Sequence, residues 1–153
     1  MKISPFDKLN EGLQAYRISH VIFTAFEIGI FSQLAKSSLS CPALSKRLKV
    51  SERGLEPLLG SLVAIQILEF EKPKYYISPL LEEYLSPSSN QYIGNLITHE
   101  IHLSQRWKNL SQSVMTDKPA DDKKKTDGED VDVKESKAVD EVLDMLKPMG
   151  SID

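Results

Sequence analysis

A mainly α-helical chain built on a winged helix-turn-helix, with a small β-hairpin wing and extra N- and C-terminal helices, is what three stretches of this sequence predict. "CPALSKRLKVSERGLEPLLGSLVA" carries leucines at helical spacing on both sides of the break "KVS", as two short helices joined by a tight turn would. "ILEFEKPKYYIS" alternates around a proline-containing turn, which is hairpin chemistry. "RISHVIFTAFEIGIFSQLAK" is apolar around almost its whole circumference, so as a helix it must be covered on nearly all sides.

Taken in order, Phe6, Leu9 and Leu13 recur at helical spacing and open the first helical stretch. Further along, Arg17, His20, Thr24 and Glu27 share one narrow polar face, while Ile18, Val21, Ile22, Phe23, Phe26 and Ile28 cover the rest. A small domain buries one face of a helix at its edge, so the apolar excess predicts a partner subunit or a second domain. Ser40 is placed to cap a helix with Pro42 in its first turn and Leu44 and Leu48 on its stripe. Ser51 caps the next, where Leu55, Leu58, Leu59, Leu62 and Val63 line up and Pro57 falls early enough to disturb only the first turns. Ser78 and Pro79 start a short helix ending at Leu85, "SPSSN" is a loop, and a longer helix runs from Asn90 to about Met115.

Beyond that point the composition changes. Residues 116–137 hold eight acids and six bases in 22 positions, which cannot build a core and reads as a disordered charged linker. Val139, Val142, Leu143 and Leu146 then return to helical spacing. The expected organisation is a winged-helix domain over 1–115, a linker over 116–137, and a short amphipathic helix and tail over 138–153.

With 153 residues, 41% of them hydrophobic, the chain suits one compact domain. Its formal charge of −3 offers no general attraction to polyanions. Cys41 is the only cysteine, so no intrachain disulfide forms and a reducing compartment fits. The start lacks the apolar core of a signal peptide, and the densest apolar run, Val21 to Phe31, is interrupted by Glu27 and falls short of the roughly 20 residues that span a bilayer. A soluble cytoplasmic protein without a membrane partner is expected.

"THEIHLSQRW", Thr98 to Trp107, resembles the zinc-hydrolase pattern H-E-x-x-H but is H-E-x-H. At about 100° per residue, Glu100 points about 160° away from His102, so the base would aim away from a metal. With no third ligand in view, no metal site is assigned. On the same helical wheel Leu96, Leu103, Trp107, Leu110 and Val114 lie together beside Glu100. The expectation is a seam packed on the core through Leu103 and Trp107, with Glu100 in need of a partner such as Arg17 or Arg106. A winged helix also invites a DNA-binding regulator as the alternative. Against that, the second helix carries Arg53 among Glu52 and Glu56, and Lys46, Arg47, Lys49, Lys72 and Lys74 are a modest basic set.

"YRISHVIFTAFEIGIFSQLA", "LSKRLKVSERGLEPLLGSLVAIQIL", "YYISPLLEEYL" and "HEIHLSQRW", in this order, resemble the N-terminal dimerisation domain of S-adenosylmethionine-dependent O-methyltransferases of the acetylserotonin and plant small-molecule type. The likeness covers about residues 6 to 115. It implies a winged helix used for protein contact in a homodimer, with Ile18, Val21, Ile22, Phe26 and Ile28 at the dimer interface. It also implies a module that caps the substrate pocket of a Rossmann-like catalytic domain, with Tyr16, His20, Phe23, His99 and Trp107 as substrate-contact positions. The cofactor site of such enzymes depends on a glycine-rich turn after a strand. Glycines here, at 12, 29, 54, 60, 94, 128 and 150, never fall within two residues of each other. No catalytic or cofactor-binding residue is therefore assigned, and S-adenosylmethionine is expected only with a catalytic domain supplied elsewhere. Gln66 stands where the family commonly has a glycine ending the second helix of the pair.

Overall fold

A capping box starts the first helix, α1 (Pro5–Glu27). The Ser4 hydroxyl accepts from the Asp7 amide at 3.1 Å, and the Asp7 carboxylate accepts from the Ser4 amide at 3.3 Å. Two of the donors a helix start leaves open are thus satisfied, and Pro5, which has no amide proton to lose, begins the first turn. The computed structural model describes residues 4–119 in two units, one through Ile101 and one from His102. The charged segment from 120 onward and the amphipathic helix expected at 138–153 lie outside the described residues.

The sequence reads as one continuous helix through Phe31, but the chain turns a corner at Ile28 and Gly29. Gly29 has φ 87°, a conformation that costs a residue with no Cβ little. Past the corner, α2 (Ile30–Leu34) buries Ile30, Phe31 and Leu34. The all-round apolar character thus belongs to two helices, each using its own face. At the end of α1 only Ala25 is fully buried, and Val21, Phe23, Phe26 and Ile28 are partly covered against the chain's own core.

Next come β1 (Leu39–Ser40), α3 (Cys41–Leu48) and α4 (Glu52–Ala64). Both expected caps form: Ser40 accepts from the Ala43 amide and Ser51 from the Gly54 amide. Between the helices Lys49 takes a left-handed conformation, and the Ser45 hydroxyl donates to the Val50 carbonyl at 2.6 Å, closing the turn. Leu55, Leu59 and Leu62 of α4 are buried beside Leu44 of α3, and α1, α3 and the first wing strand all pack on α4.

The wing is β2 (Leu68–Glu71) and β3 (Lys74–Ile77), paired antiparallel with Leu68 opposite Ile77 and Glu71 opposite Lys74. β1 adds to the other side of β3, giving the order β1-β3-β2. A two-residue strand has too few positions to show alternation, so periodicity leaves it unmarked. On the wing the Glu69 carboxylate accepts from the Tyr76 phenol at 2.9 Å and the Ser78 hydroxyl at 3.1 Å. Helix α5 is confined to Glu82–Leu85 because Pro79 and Leu80 form a turn, and α6 (Gly94–Trp107) begins four residues after Asn90. A break at Lys108 and Asn109 separates it from α7 (Leu110–Thr116).

The exit from α4 explains the glycine preference at position 66. The Ile67 amide donates to the Leu62 carbonyl and the Gln66 amide to the Val63 carbonyl, both at 2.9 Å. This Schellman pattern requires a left-handed residue, and Gln66 supplies it at φ 63°. Replacing Gln66 with Gly should raise unfolding stability by roughly 0.5–1 kcal/mol, the left-handed cost of a Cβ less the added unfolded-chain entropy. Urea midpoints at one fixed protein concentration check this.

The Tyr76 phenol is held above the ordinary tyrosine range, chiefly because its proton is donated to Glu69. With the folded pKa raised, this bond contributes fully below the unfolded tyrosine pKa and is lost as pH rises through the folded value. In an alkaline titration Tyr76 should ionise after unperturbed tyrosines. Glu69→Gln should bring it down, with Tyr76→Phe identifying its signal.

Candidate functional site

From Ser4 to Ile18 every residue of the first helix and its cap is exposed. Phe6 is 72% exposed, Leu9 60%, Leu13 65% and Tyr16 58%. Their alternating spacing of three and four residues places them on one stripe about 80° wide, which His20 and Phe23 prolong toward the core. Asp7, Lys8 and Glu11 lie on the other side of the helix. The stripe has the spacing of a helix that packs on another helix.

Three of the expected substrate-contact residues come together here. The Tyr16 and His20 rings meet edge to face with centroids 6.1 Å apart, and His20 meets Phe23 the same way at 6.2 Å. The Arg17 guanidinium carbon lies 6.0 Å from the Tyr16 ring centroid. The ladder runs from the exposed arm to a ring partly covered by the core. Among the described residues no ring contact ties His99 to it, and His99 is exposed on α6. Of the expected interface residues, Ile18 is exposed and Ile22 half-buried, and Val21, Phe26 and Ile28 share themselves with the chain's own core.

Helix α6 carries two apolar stripes where the sequence reading recognised one. Ile93, Ile97 and Ile101 lie about 20° to 100° to one side of Glu100 and pack on the core, with Gly94 buried beneath the Tyr92 ring. The other stripe contains Leu103 and Trp107, whereas Leu110 and Val114 belong to α7, beyond the break at Lys108 and Asn109. Trp107 was expected to bind the helix to a core, yet it is 66% exposed, and Val114 and Met115 are exposed as well. An apolar arc this wide exceeds what one contact covers, and the isoleucine edge took the core position. Glu100 falls between the stripes and is half-buried, not sealed in the core as the expected seam required.

The alternative surfaces are less developed. Glu52, Arg53 and Glu56 are all exposed on α4, leaving an acidic rather than basic outer face where a DNA reader needs cations. Among the described residues no group of three His, Cys, Asp or Glu is arranged to hold a metal ion. Among them also, no helix is long and apolar enough to cross a membrane.

A winged helix whose most prominent exposed feature is an apolar helical arm is a protein-contact module. Residues 10–86 match the O-methyltransferase dimerisation domain. The acetylserotonin O-methyltransferase of Macaca mulatta is 30% identical over 113 residues, covering 69% of this chain and 33% of that protein. Human N-acetylserotonin methyltransferase, solved in complex with SAM, superposes with a TM-score of 0.65 at 26% identity, over 75% of this chain and 35% of that one. An O-methyltransferase family protein from Burkholderia thailandensis superposes with a TM-score of 0.69 at 21% identity, over 76% and 35%. The chain belongs to the O-methyltransferase dimerisation-domain family, and it spans about a third of the length of the acetylserotonin enzymes it matches.

The arm is unfastened from the core, so its apolar residues should be dispensable for the fold of the single subunit. Below the association midpoint, Leu9→Ser with Leu13→Ser should change urea stability by no more than about 0.5 kcal/mol per site. Leu59→Ala, which empties a fully buried position, should cost about 2–5 kcal/mol.

Proposed function

We propose that this chain homodimerises through the α1 stripe and serves as the dimerisation module of a cytoplasmic S-adenosylmethionine-dependent O-methyltransferase. The observation that carries the reading is the capped 23-residue helix that leaves Phe6, Leu9, Leu13 and Tyr16 in water. Such a stripe is costly in a lone subunit and is relieved by burial against another. Family membership supports the same reading, as does the acidic outer face of α4, which favours it over a DNA-binding regulator.

Methyl transfer itself belongs to a Rossmann-like catalytic domain that supplies the glycine-rich cofactor turn. None of the spacings in these 153 residues provides that turn. The module would cap the substrate pocket of that domain. The Tyr16–His20–Phe23 ladder offers a run of edge-to-face rings with one imidazole for a small aromatic substrate, and His99 and Trp107 are further contact positions.

Sedimentation at micromolar concentration should give a dimer. Leu9→Asp with Leu13→Asp should weaken it by at least about 100-fold, because burying two unpaired carboxylates forfeits several kcal/mol. A wild-type monomer at that concentration would sink the reading. Titration of these 153 residues with S-adenosylmethionine should give no binding, and a measurable affinity would relocate the cofactor site into this module.

A further inference from the structure

We infer that the free edge of β2 is a docking site for an extended peptide segment of another protein, one that brings an arginine to Glu69 and apolar side chains to the cleft beside it. This is independent of the homodimer reading.

In the order β1-β3-β2, strand β2 has a neighbour on one side only among the described residues. The Ser78 amide donates to the Ile67 carbonyl at 3.0 Å, which marks 67 and 78 as a hydrogen-bonded pair. Such pairs alternate along an antiparallel ladder, so Glu69 and Glu71 turn their backbone groups toward β3, and Leu68 and Phe70 turn theirs outward. Two amides and two carbonyls are thus presented along one edge, the template that strand addition uses.

A cleft of about 730 Å³ follows that edge. Val63, Ile65, Leu80 and Leu81 supply its apolar walls, and Leu80 is 84% exposed. Leu68, Glu69 and Phe70 line it as consecutive residues, although side chains along a strand alternate between its two faces. A cleft that touches all three runs along the backbone, so an occupant meets strand edge and apolar wall together.

Charge selects the occupant. Glu69 is half-buried, and each of its oxygens accepts one hydroxyl, Oε2 from Tyr76 at 2.9 Å and Oε1 from Ser78 at 3.1 Å. A carboxylate offers about two acceptor positions on each oxygen, so one stays open on each. Among the described residues no Lys or Arg pairs with it. The hydroxyls hold the carboxylate in place, and the open pair suits a guanidinium, whose planar fork sends parallel N–H donors to two oxygens. In an added strand the residue opposite Glu69 projects to the face that Glu69 occupies, as do residues two positions to either side. An arginine flanked in this way by apolar residues meets the carboxylate and the cleft at once.

The test follows the amide signals of the 153-residue chain as acetyl-Leu-Thr-Arg-Thr-Leu-amide is added. Leu68, Glu69 and Phe70 should shift, and the peptide should bind at least about tenfold more tightly than its counterpart with citrulline, the neutral isostere of arginine. Glu69→Gln should erase that difference and leave the affinity for the citrulline peptide little changed. Methylating both threonine amides, which point at β2 in the added strand, should weaken binding by at least about tenfold. Equal affinity of the arginine and citrulline peptides for the wild-type chain would overturn the proposal. So would tolerance of the methylated amides, an absence of amide shifts at millimolar peptide, or ethylguanidinium binding as tightly as the peptide. Shifts of the same amides with protein concentration alone would make a second copy the occupant and equally overturn it.

Discussion

The length of α1 exceeds the core available to hold it. Twenty-three residues make a helix of about 35 Å, yet only Ala25, near its end, is fully buried. The corner at Gly29 fixes that end, because it sends α2 back into the core and leaves α1 to project. Everything before Ser19 must then sustain helix without packing, and isolated helices of this length are marginal in water. The sequence answers with local devices: the Ser4–Asp7 capping box, Pro5 in the first turn, and an Asn10–Gln14 side-chain hydrogen bond at 2.8 Å. These hold the arm helical. They do nothing for the apolar stripe it exposes, which the proposed homodimer would cover.

The same division explains why a helix-turn-helix here makes protein contacts. In α4 the leucines at 55, 59 and 62 are the packing face for α1, α3 and β2. Its solvent face is left to Glu52, Arg53 and Glu56. A nucleic-acid reader must put cations on that outer face, and two carboxylates to one guanidinium repel phosphate. The wing likewise offers a carboxylate, with Tyr76 and Ser78 both donating to Glu69. Among the helices, α1 is the one chiefly presented outward.

How much of this was legible follows from which signals are local. The caps at Ser40 and Ser51, the hairpin and the leucine face of α4 were all readable, since each depends on residues within a few positions of one another. The Ser4–Asp7 pair was equally local, and the spacing S-x-x-D before an apolar run would have revealed it. Continuity hides two features. An apolar run through Phe31 looks like one helix because a single glycine corner leaves no mark on periodicity. On α6, Trp107 and Ile97 both lie in one wide apolar arc, and only the three-dimensional core decides which edge it takes. The arm was recognised as helix from Phe6, Leu9 and Leu13. Its role as a surface needed the knowledge that nothing nearby covers it, and that is a property of the assembled unit.

The aromatic ladder joins the arm to the core in a way that constrains the proposed function. Phe23 is partly covered by the core, His20 stacks edge-on against it, and Tyr16 stands on the exposed stripe. One rigid helix therefore carries both the residues proposed to touch substrate and those proposed to join subunits. α1 is one unbroken helix from Pro5 to Glu27 with no glycine from Leu13 to Phe23, so the ladder and the stripe residues beside it move together. If the arm is held by a second subunit, the position of His20 relative to the core is fixed by association as much as by folding. On the proposed reading, dimerisation acts as part of building the pocket roof, because an unpartnered arm is supported only at its Ala25 end.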